Sequence, residues 1–586
     1  MKPALALLLL LAASPAQAAT FQESYLERWF DMYPSKATAA GRHDLDRKLE
    51  DMSLARRNAW LKYNRLAAKG MRRILEAPST SLDDRLDAEL LLRQAELEAF
   101  EYGTQNRPER DPLFWTGIMT DATDFLLVRD DLPKADRLSR AAARAEQLPR
   151  LAKQARQALE MSHPDLIVPE VCGIAAGILR GSAQFYREGF PQAGELPELK
   201  TSGAKAAVSL DELAAFLDGL QKKAKGEPRL GKDYAARFRF VTGVEEPVKR
   251  VLARAEAALT AKRTEAAAYG RSVWKELMPG EAPEDDRELL RRLFERVAAD
   301  HSSNMDEFVA DYRKLVPEAL EFVRKKDLMT LPDPATLHID RSPSYFAGQM
   351  VGGVYPAGPF APEEDTLFYL PSIPDSATPE QKAAFFRDFN HHFNMMITPH
   401  EMVPGHYVQL KWAARHPRKV RALFSDGVYV EGWGTFSERL LLDQGWGGPL
   451  PRLAHLKKQL ENIARTVVDI RVNTEQMSRD AVLRYVKEEA LQDEQFAGNM
   501  WVRAITSSPQ LTFYWLGDRE VQGLYDEVRK EKKGDFRIKS FLDGMMELGP
   551  VPVARYWEKM LGRRPPAPEP PSPEPHHHHH VPPGPG

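Results

Sequence analysis

The sequence predicts a mainly α-helical, multi-helical protein with a small irregular or β segment near residues 330–375. Three observations carry this. Ala, Leu, Arg, Glu and Lys, which favour helix, dominate most windows, and charged residues make up 28 % of the chain. From Phe21 to about Asp327, apolar residues recur at three- and four-residue intervals among charges, as the buried stripe of a helix requires. Between Leu328 and Pro374 this texture stops, and prolines 332, 334, 343, 356, 359, 362, 371 and 374 gather with Gly348, Gly352, Gly353 and Gly358.

The helical stretches follow in order as Leu82–Phe100, Lys134–Met161, Leu210–Lys225, Val248–Leu277 and Asp286–Leu315. Breaks fall at Pro78, His163-Pro164, Pro191, Pro228 and Met278-Pro279-Gly280, where proline removes a donor or glycine loosens the backbone. The Pro/Gly segment, with Tyr345, Tyr355, Phe368 and Tyr369 interleaved, suits short strands or loops edging a cleft. Helix resumes near Pro379, with Thr378 as N-cap, proline at the first helical position and Glu380 behind it, and is expected to run on through residue 406.

The ends of the chain bear on compartment. Met1-Lys2-Pro3, the Leu/Ala run Ala4–Ala13 and Ala16-Gln17-Ala18 read as a secretory signal peptide, with the mature chain starting at Ala19 or Thr20. No cysteine follows the apolar run, so no membrane anchor by lipid attachment is expected, and Cys172 alone allows no intrachain disulfide. A large exported chain without disulfides fits the periplasm of a Gram-negative bacterium. No later apolar run reaches the ~18 residues a membrane span needs. The formal net charge of −3 gives no reason to expect nucleic-acid binding. The chain thus divides into a signal peptide (1–18), an N-terminal helical region (19–330), a helical region with the candidate site (331–563) and a disordered Pro/His-rich tail (564–586) carrying His576 to His580.

The chemistry concentrates in His400-Glu401-Met402-Val403-Pro404-Gly405-His406. Two imidazoles and a carboxylate in one short segment are what a hydrolytic zinc site needs. In the zinc-protease helix H-E-x-x-H the second histidine is at i+4, but here that position is Pro404 and the next histidine is at i+6. On an unbroken helix i+6 lies about 240° round and about 9 Å along. Pro404 and Gly405 suggest a helix interrupted by two extra residues, which swings His406 back to the face of His400. A proline-broken surface turn that carries two histidines is the alternative, and the local chemistry leaves both open. Glu431 and Glu438, seven apart, share a face if their segment is helical, so one can bind metal while the other orients a histidine. Tyr429, Val430 and Trp433 favour a buried Glu431, whereas Arg439 beside Glu438 favours a structural ion pair.

His-Glu-x-x-Pro-Gly-His followed by Glu-Gly-Trp-x-x-x-x-Glu-Arg resembles the bacterial family of domain of unknown function 885. The resemblance continues through Ala464–Asp469, through Arg503, Gln510, Tyr514 and Gly517, and through Phe541–Pro552. It implies a zincin-like metallopeptidase fold with a deep cleft, distantly similar to the thimet-oligopeptidase and thermostable-carboxypeptidase folds. It further implies zinc (Zn) held by His400, His406 and Glu431, with Glu401 as general base. Tyr514 is then an oxyanion donor, Glu438 supports a ligand histidine, and Arg503, Tyr355 and Asn473 are candidates for substrate contact. Two departures stand out. Tyr407 replaces a second histidine after Pro-Gly-His, and Arg471 and Asn473 replace a glycine and a histidine of the family pattern. His391 and His392 read as supporting or surface residues.

These features lead to an exported zinc-dependent metallopeptidase that hydrolyses short peptides, of oligopeptidase or carboxypeptidase type. Zinc suits two histidines, one glutamate and an open position best. A zinc amidohydrolase on a non-peptide amide is the first alternative. A catalytically weak metal- or peptide-binding protein is the second, favoured by Asn473 and by the histidine tail.

Overall fold

The computed structural model describes residues 15–333, 336–341, 353–373 and 377–567. Most of the expected signal peptide, most of the tail with His576 to His580, and Pro334, Pro343, Tyr345, Gly348, Gly352 and Pro374 lie outside them.

The fold is mainly helical, as the composition and periodicity require. The Val248–Leu277 helix has the bounds read from the sequence. Leu82–Ala99 continues into a wider turn over Phe100–Thr104. The third expected helix begins already at Pro197 and ends at Gln221. Two expected helices are each a pair. Lys134–Ala145 and Leu148–Glu160 are separate, with Pro149 in the first turn of the second. Asp286–Ala298 and Met305–Lys325 are split where Asn304 caps a new helix by accepting from Glu307 N at 3.0 Å. Periodicity alone misses such internal caps, because the apolar stripe carries on across them.

The Pro/Gly segment forms a three-stranded sheet of β1 (Leu337–Arg341), β2 (Gly353–Tyr355) and β3 (Thr366–Leu370). β3 lies in the centre, parallel to β1 and antiparallel to β2.

After the sheet, the helix expected to run from Pro379 through the histidine motif, interrupted at Pro404-Gly405, breaks once more at Asn390 and so is three helices. Pro379–Asp388 starts with a capping box, in which Thr378 and Gln381 each satisfy the other's backbone N–H. α1 (His391–Glu401) restarts because Asn390 Oδ1 accepts from Phe393 N at 2.9 Å. α2 (His406–Arg415) follows the motif break. Then come α3 (Gly427–Asp443), α4 (Pro449–Thr474), α5 (Glu494–Thr506) and α6 (Phe513–Lys532).

The largest buried apolar cluster runs from Phe21 to Trp557 and draws on both halves of the chain. A second cluster belongs mainly to residues 32–217 and takes in Tyr369 of β3. Among the described residues, no helix is long and apolar enough to cross a membrane.

Polar contacts reinforce the joint between the halves. Arg421, 1 % exposed, donates to Asp87 Oδ1 at 2.9 Å, to Asp83 Oδ1 at 2.5 Å and to Leu548 O at 2.8 Å. Burial raises the Asp87 pKa against the pull of that guanidinium. Removing this cation leaves the buried Asp87 carboxylate to the more distant Arg418, at 3.4 Å. Arg421→Met is therefore expected to cost about 3–5 kcal/mol, read as a lower urea midpoint, whereas an unchanged midpoint would show the pair to be dispensable.

Candidate metal centre

The motif break is built by close packing. α1 ends at Glu401, and Met402 and Val403 are fully buried. A Cβ on Gly405 would sit 1.8 Å from His400 O, so only glycine lets the chain double back there. Trp433 Nε1 donates to Pro404 O at 2.9 Å and pins the break to α3. α2 then opens on His406, whose ring centroid lies 4.7 Å from that of His400 with the planes at 85°. The i+6 spacing thus brings both imidazoles together.

α3 supplies the carboxylates. Glu431 Oε2 lies 3.5 Å from His400 Nε2 and 3.7 Å from His406 Nε2. Seven residues on, Glu438 is fully buried and accepts from His400 Nδ1 at 2.7 Å and from His455 Nδ1 at 2.9 Å. Glu438 therefore fixes the His400 ring and directs its Nε2 toward Glu431. Gly434 makes room for this, since a Cβ there would sit 2.8 Å from the His400 ring. Arg439 pairs with Asp518 of α6 and leaves Glu438 to the histidines. The ion-pair reading of Glu438 with its neighbouring arginine is thereby corrected.

The donor set fits zinc. His400, His406 and Glu431 each offer one ligand atom, all within 4.8 Å of one another. Their 3.5 and 3.7 Å contacts are long for hydrogen bonds. They are close to the about 3.4 Å that separates ligands set tetrahedrally about 2.1 Å from one ion. Burial alone lowers the His400 pKa, but Glu431, Glu438 and Glu401 override it and raise it to about 10. Burial opposes ionisation of both glutamates, yet the facing imidazoles hold Glu431 well below the usual carboxylate range and bring Glu438 down to about 2.

Glu401, the last residue of α1, is half-buried beside this cluster. Its charge acts on His400, and after burial it is the largest cause raising the Tyr312 pKa. α6 crosses α3 at Gly432 and Gly517, where a Cβ on Gly517 would lie 1.9 Å from Val428 O. That approach brings Tyr514 within the field of Glu431, which together with burial raises the phenol pKa. Arg503 Nη2 donates to Tyr514 Oη at 3.2 Å and to Gln510 Oε1 at 3.1 Å. The Arg465 guanidinium lies 4.6 Å from the centre of the Tyr514 ring.

Two expected substrate contacts, Asn473 and Tyr355, have partners within the protein. Asn473, 1 % exposed, donates to Asp469 O, Ala504 O and Ser508 Oγ and accepts from Leu230 N. Its amide is spent on joining α4 to α5 and to the 230 loop. The Tyr355 ring packs edge-on to Phe125 at 5.3 Å and to Tyr369 at 5.6 Å. Tyr407 bonds to Thr336 Oγ1 and Asp333 O, both at 2.8 Å, and so closes a wall. His391 pairs with Asp311 and His392 faces Asp300. His455 is the residue that sequence reasoning missed. It belongs to no motif, and its signal was a lone histidine among Leu453, Ala454 and Leu456. Glu438→Ala is expected to keep all three ligands yet lower zinc affinity about 10–100-fold, measured by competition with a chelating dye. Unchanged affinity would mean that the Glu438 contacts do not position His400.

No curated protein matches the chain. Solved structures share its fold, two of them described as putative lipoproteins. The chain is 25 % identical to "a putative lipoprotein of unknown function from Shewanella oneidensis", covering 94 % of this chain and 100 % of that one at a TM-score of 0.74. It is 13 % identical to "the putative lipoprotein from Colwellia psychrerythraea", covering 94 % and 99 % at a TM-score of 0.77. The family model described as "Bacterial protein of unknown function (DUF885)" matches residues 34–559, and the chain belongs to that family.

Proposed function

We propose that this protein is an exported zinc-dependent metallopeptidase that hydrolyses short peptides. One observation carries the reading: His400 Nε2, His406 Nε2 and the Glu431 carboxylate converge on one point, with His400 locked from behind by a buried carboxylate. This is the two-histidine, one-carboxylate set of a hydrolytic zinc site that leaves a position open. The signal-peptide reading and the descriptions of both similar structures as putative lipoproteins support export, with the periplasm as the compartment.

When bound, zinc polarises the scissile carbonyl and makes a water molecule nucleophilic near neutral pH. The chain supplies the rest. Glu401 takes the proton of the attacking water on its carboxylate and passes it to the leaving amine. Tyr514 receives its hydrogen bond from Arg503, so its own O–H is free to donate to the oxygen on which charge develops. Arg503 flanks that phenol and suits a substrate carboxylate nearby, while Arg465 on the ring face is paired with Glu461. Glu438, shared between His400 and His455, keeps the Nδ1 proton on His400 and leaves Nε2 as the ligand atom. The bonding of Asn473 removes one reason for the weak-binder reading, because that departure lies in a packing joint.

Glu401→Gln is expected to keep near-stoichiometric zinc while cleavage of a mixed peptide library falls about 10²–10⁴-fold. The product ends, read by mass spectrometry, give the mode of cleavage. Zinc-loaded wild type that cleaves no peptide overturns the peptidase reading and turns the search to other amides. A second expectation concerns protons. Metal-free His400, with its pKa at about 10, is protonated at pH 7, and zinc needs it neutral. Binding at pH 7 should release that proton, and affinity should rise with pH up to about 10. Calorimetry in buffers of different ionisation enthalpy reads the release directly, and a buffer-independent enthalpy would contradict it.

A further inference from the structure

A second cluster repeats the arrangement of the first. His43 Nδ1 is held by Asp46 Oδ2 at 2.8 Å, and the Asp46 side chain is fully buried. Asp46 is in turn fixed by Thr38 Oγ1 at 2.5 Å and Arg140 Nη1 at 3.0 Å. This leaves His43 Nε2 facing Asp131 Oδ2 at 3.4 Å, with the Asp131 side chain 5 % exposed. Glu364 completes the group, and the ligand atoms of all three residues lie within 4.8 Å of one another. In both clusters a buried carboxylate orients a histidine from behind, and the front nitrogen stands nearly 3.5 Å from a carboxylate oxygen.

The charge of Arg129 reaches Asp131 and Glu364, but the hydrogen bonds of the cations nearby go elsewhere. Arg129 gives its terminal N–H groups to the carbonyls of Thr38, Ala39 and Pro356. Arg140 binds His43 O and Asp46, and Lys411 Nζ donates to the backbone oxygen of Glu364, not to its carboxylate. Glu364 Oε2 is buried and has no hydrogen-bond partner among the described residues. A buried acceptor left open beside a second carboxylate and an imidazole calls for a positive partner.

We propose that His43, Asp131 and Glu364 form a second, structural site for a divalent transition-metal cation. One imidazole with two carboxylates suits zinc or manganese, whereas calcium and magnesium favour oxygen alone. The cation would join three segments distant in sequence: the stretch after the Pro34–Ala39 helix, the loop behind Val128, and the chain between β2 and β3. Phe360 N, which donates to Ala40 O at 3.0 Å, already docks the last of these on the first. Lys411 lies on α2, which opens with His406, so the clamp also braces a helix of the candidate catalytic site.

The test uses full-length chain with His576 to His580 replaced by serine and the first site disabled by His406→Ala. Zn²⁺ alone, and Mn²⁺ alone in a parallel series, are titrated by equilibrium dialysis. The expected result is about one remaining equivalent of one of these metals. Adding His43→Gln or the near-isosteric Asp131→Asn should weaken it at least about tenfold, with the helical circular-dichroism spectrum unchanged. No remaining equivalent of either metal, or one that survives both substitutions, overturns the site. Should His43→Gln fail to fold, Asp131→Asn decides alone. X-ray absorption of the bound metal should show one nitrogen and two carboxylate ligands, and an all-oxygen shell would also refute it.

Discussion

Everything at the candidate centre depends on the buried carboxylate of Glu438. A fully buried charge is costly unless each oxygen is paired, and here each takes an imidazole N–H, from α1 on one side and α4 on the other. One side chain on α3 thereby fixes three helices against each other. It also sets the direction of the His400 ring, and with it the point where Nε2 can meet Glu431 and His406. Glu431 lies two turns back along the same helix face, so the spacing of the two glutamates fixes the depth of the site below its supporting carboxylate.

The second constraint is space. Three backbone approaches make the constellation possible, and each is bought with a missing side chain. Gly405 lets the chain fold back onto His400 O, Gly434 lets the His400 ring lie on α3, and the Gly432–Gly517 crossing lets α6 bring Tyr514 over Glu431. The N-terminal half then braces the site helices from outside with single polar contacts. Tyr312 donates to Asn394 of α1, Arg93 to the α3 cap Asp426, and Tyr234 to Asp469 of α4. Burial pushes Asp469 up to about 7, so the Tyr234 and Ser508 hydrogen bonds are what keep that side chain oriented.

Much of this was legible in the sequence. The i+6 spacing with Pro-Gly implied a broken helix, and the seven-residue interval placed Glu431 and Glu438 on one face. Helix bounds were least legible where a capping asparagine sits inside an apolar stripe, as at Asn304 and Asn390, because periodicity does not register a change of axis. The role of His455 was hidden for another reason. Its partner Glu438 lies seventeen residues away on another helix, and no local pattern marks a residue whose meaning lies in a tertiary contact.

Asn473 shows the same principle in reverse. Read against a family pattern, a histidine replaced by asparagine suggests altered chemistry. In the fold the position is a joint: the amide fills three acceptors and one donor between α4, α5 and the 230 loop. Asparagine offers both a carbonyl acceptor and two N–H donors at such a point, whereas a neutral imidazole offers one of each. The substitution therefore changes how α4 is tied to its neighbours. The zinc-ligand candidates keep their own partners, so the chemistry proposed for them rests on Glu438, Gly405 and Gly434.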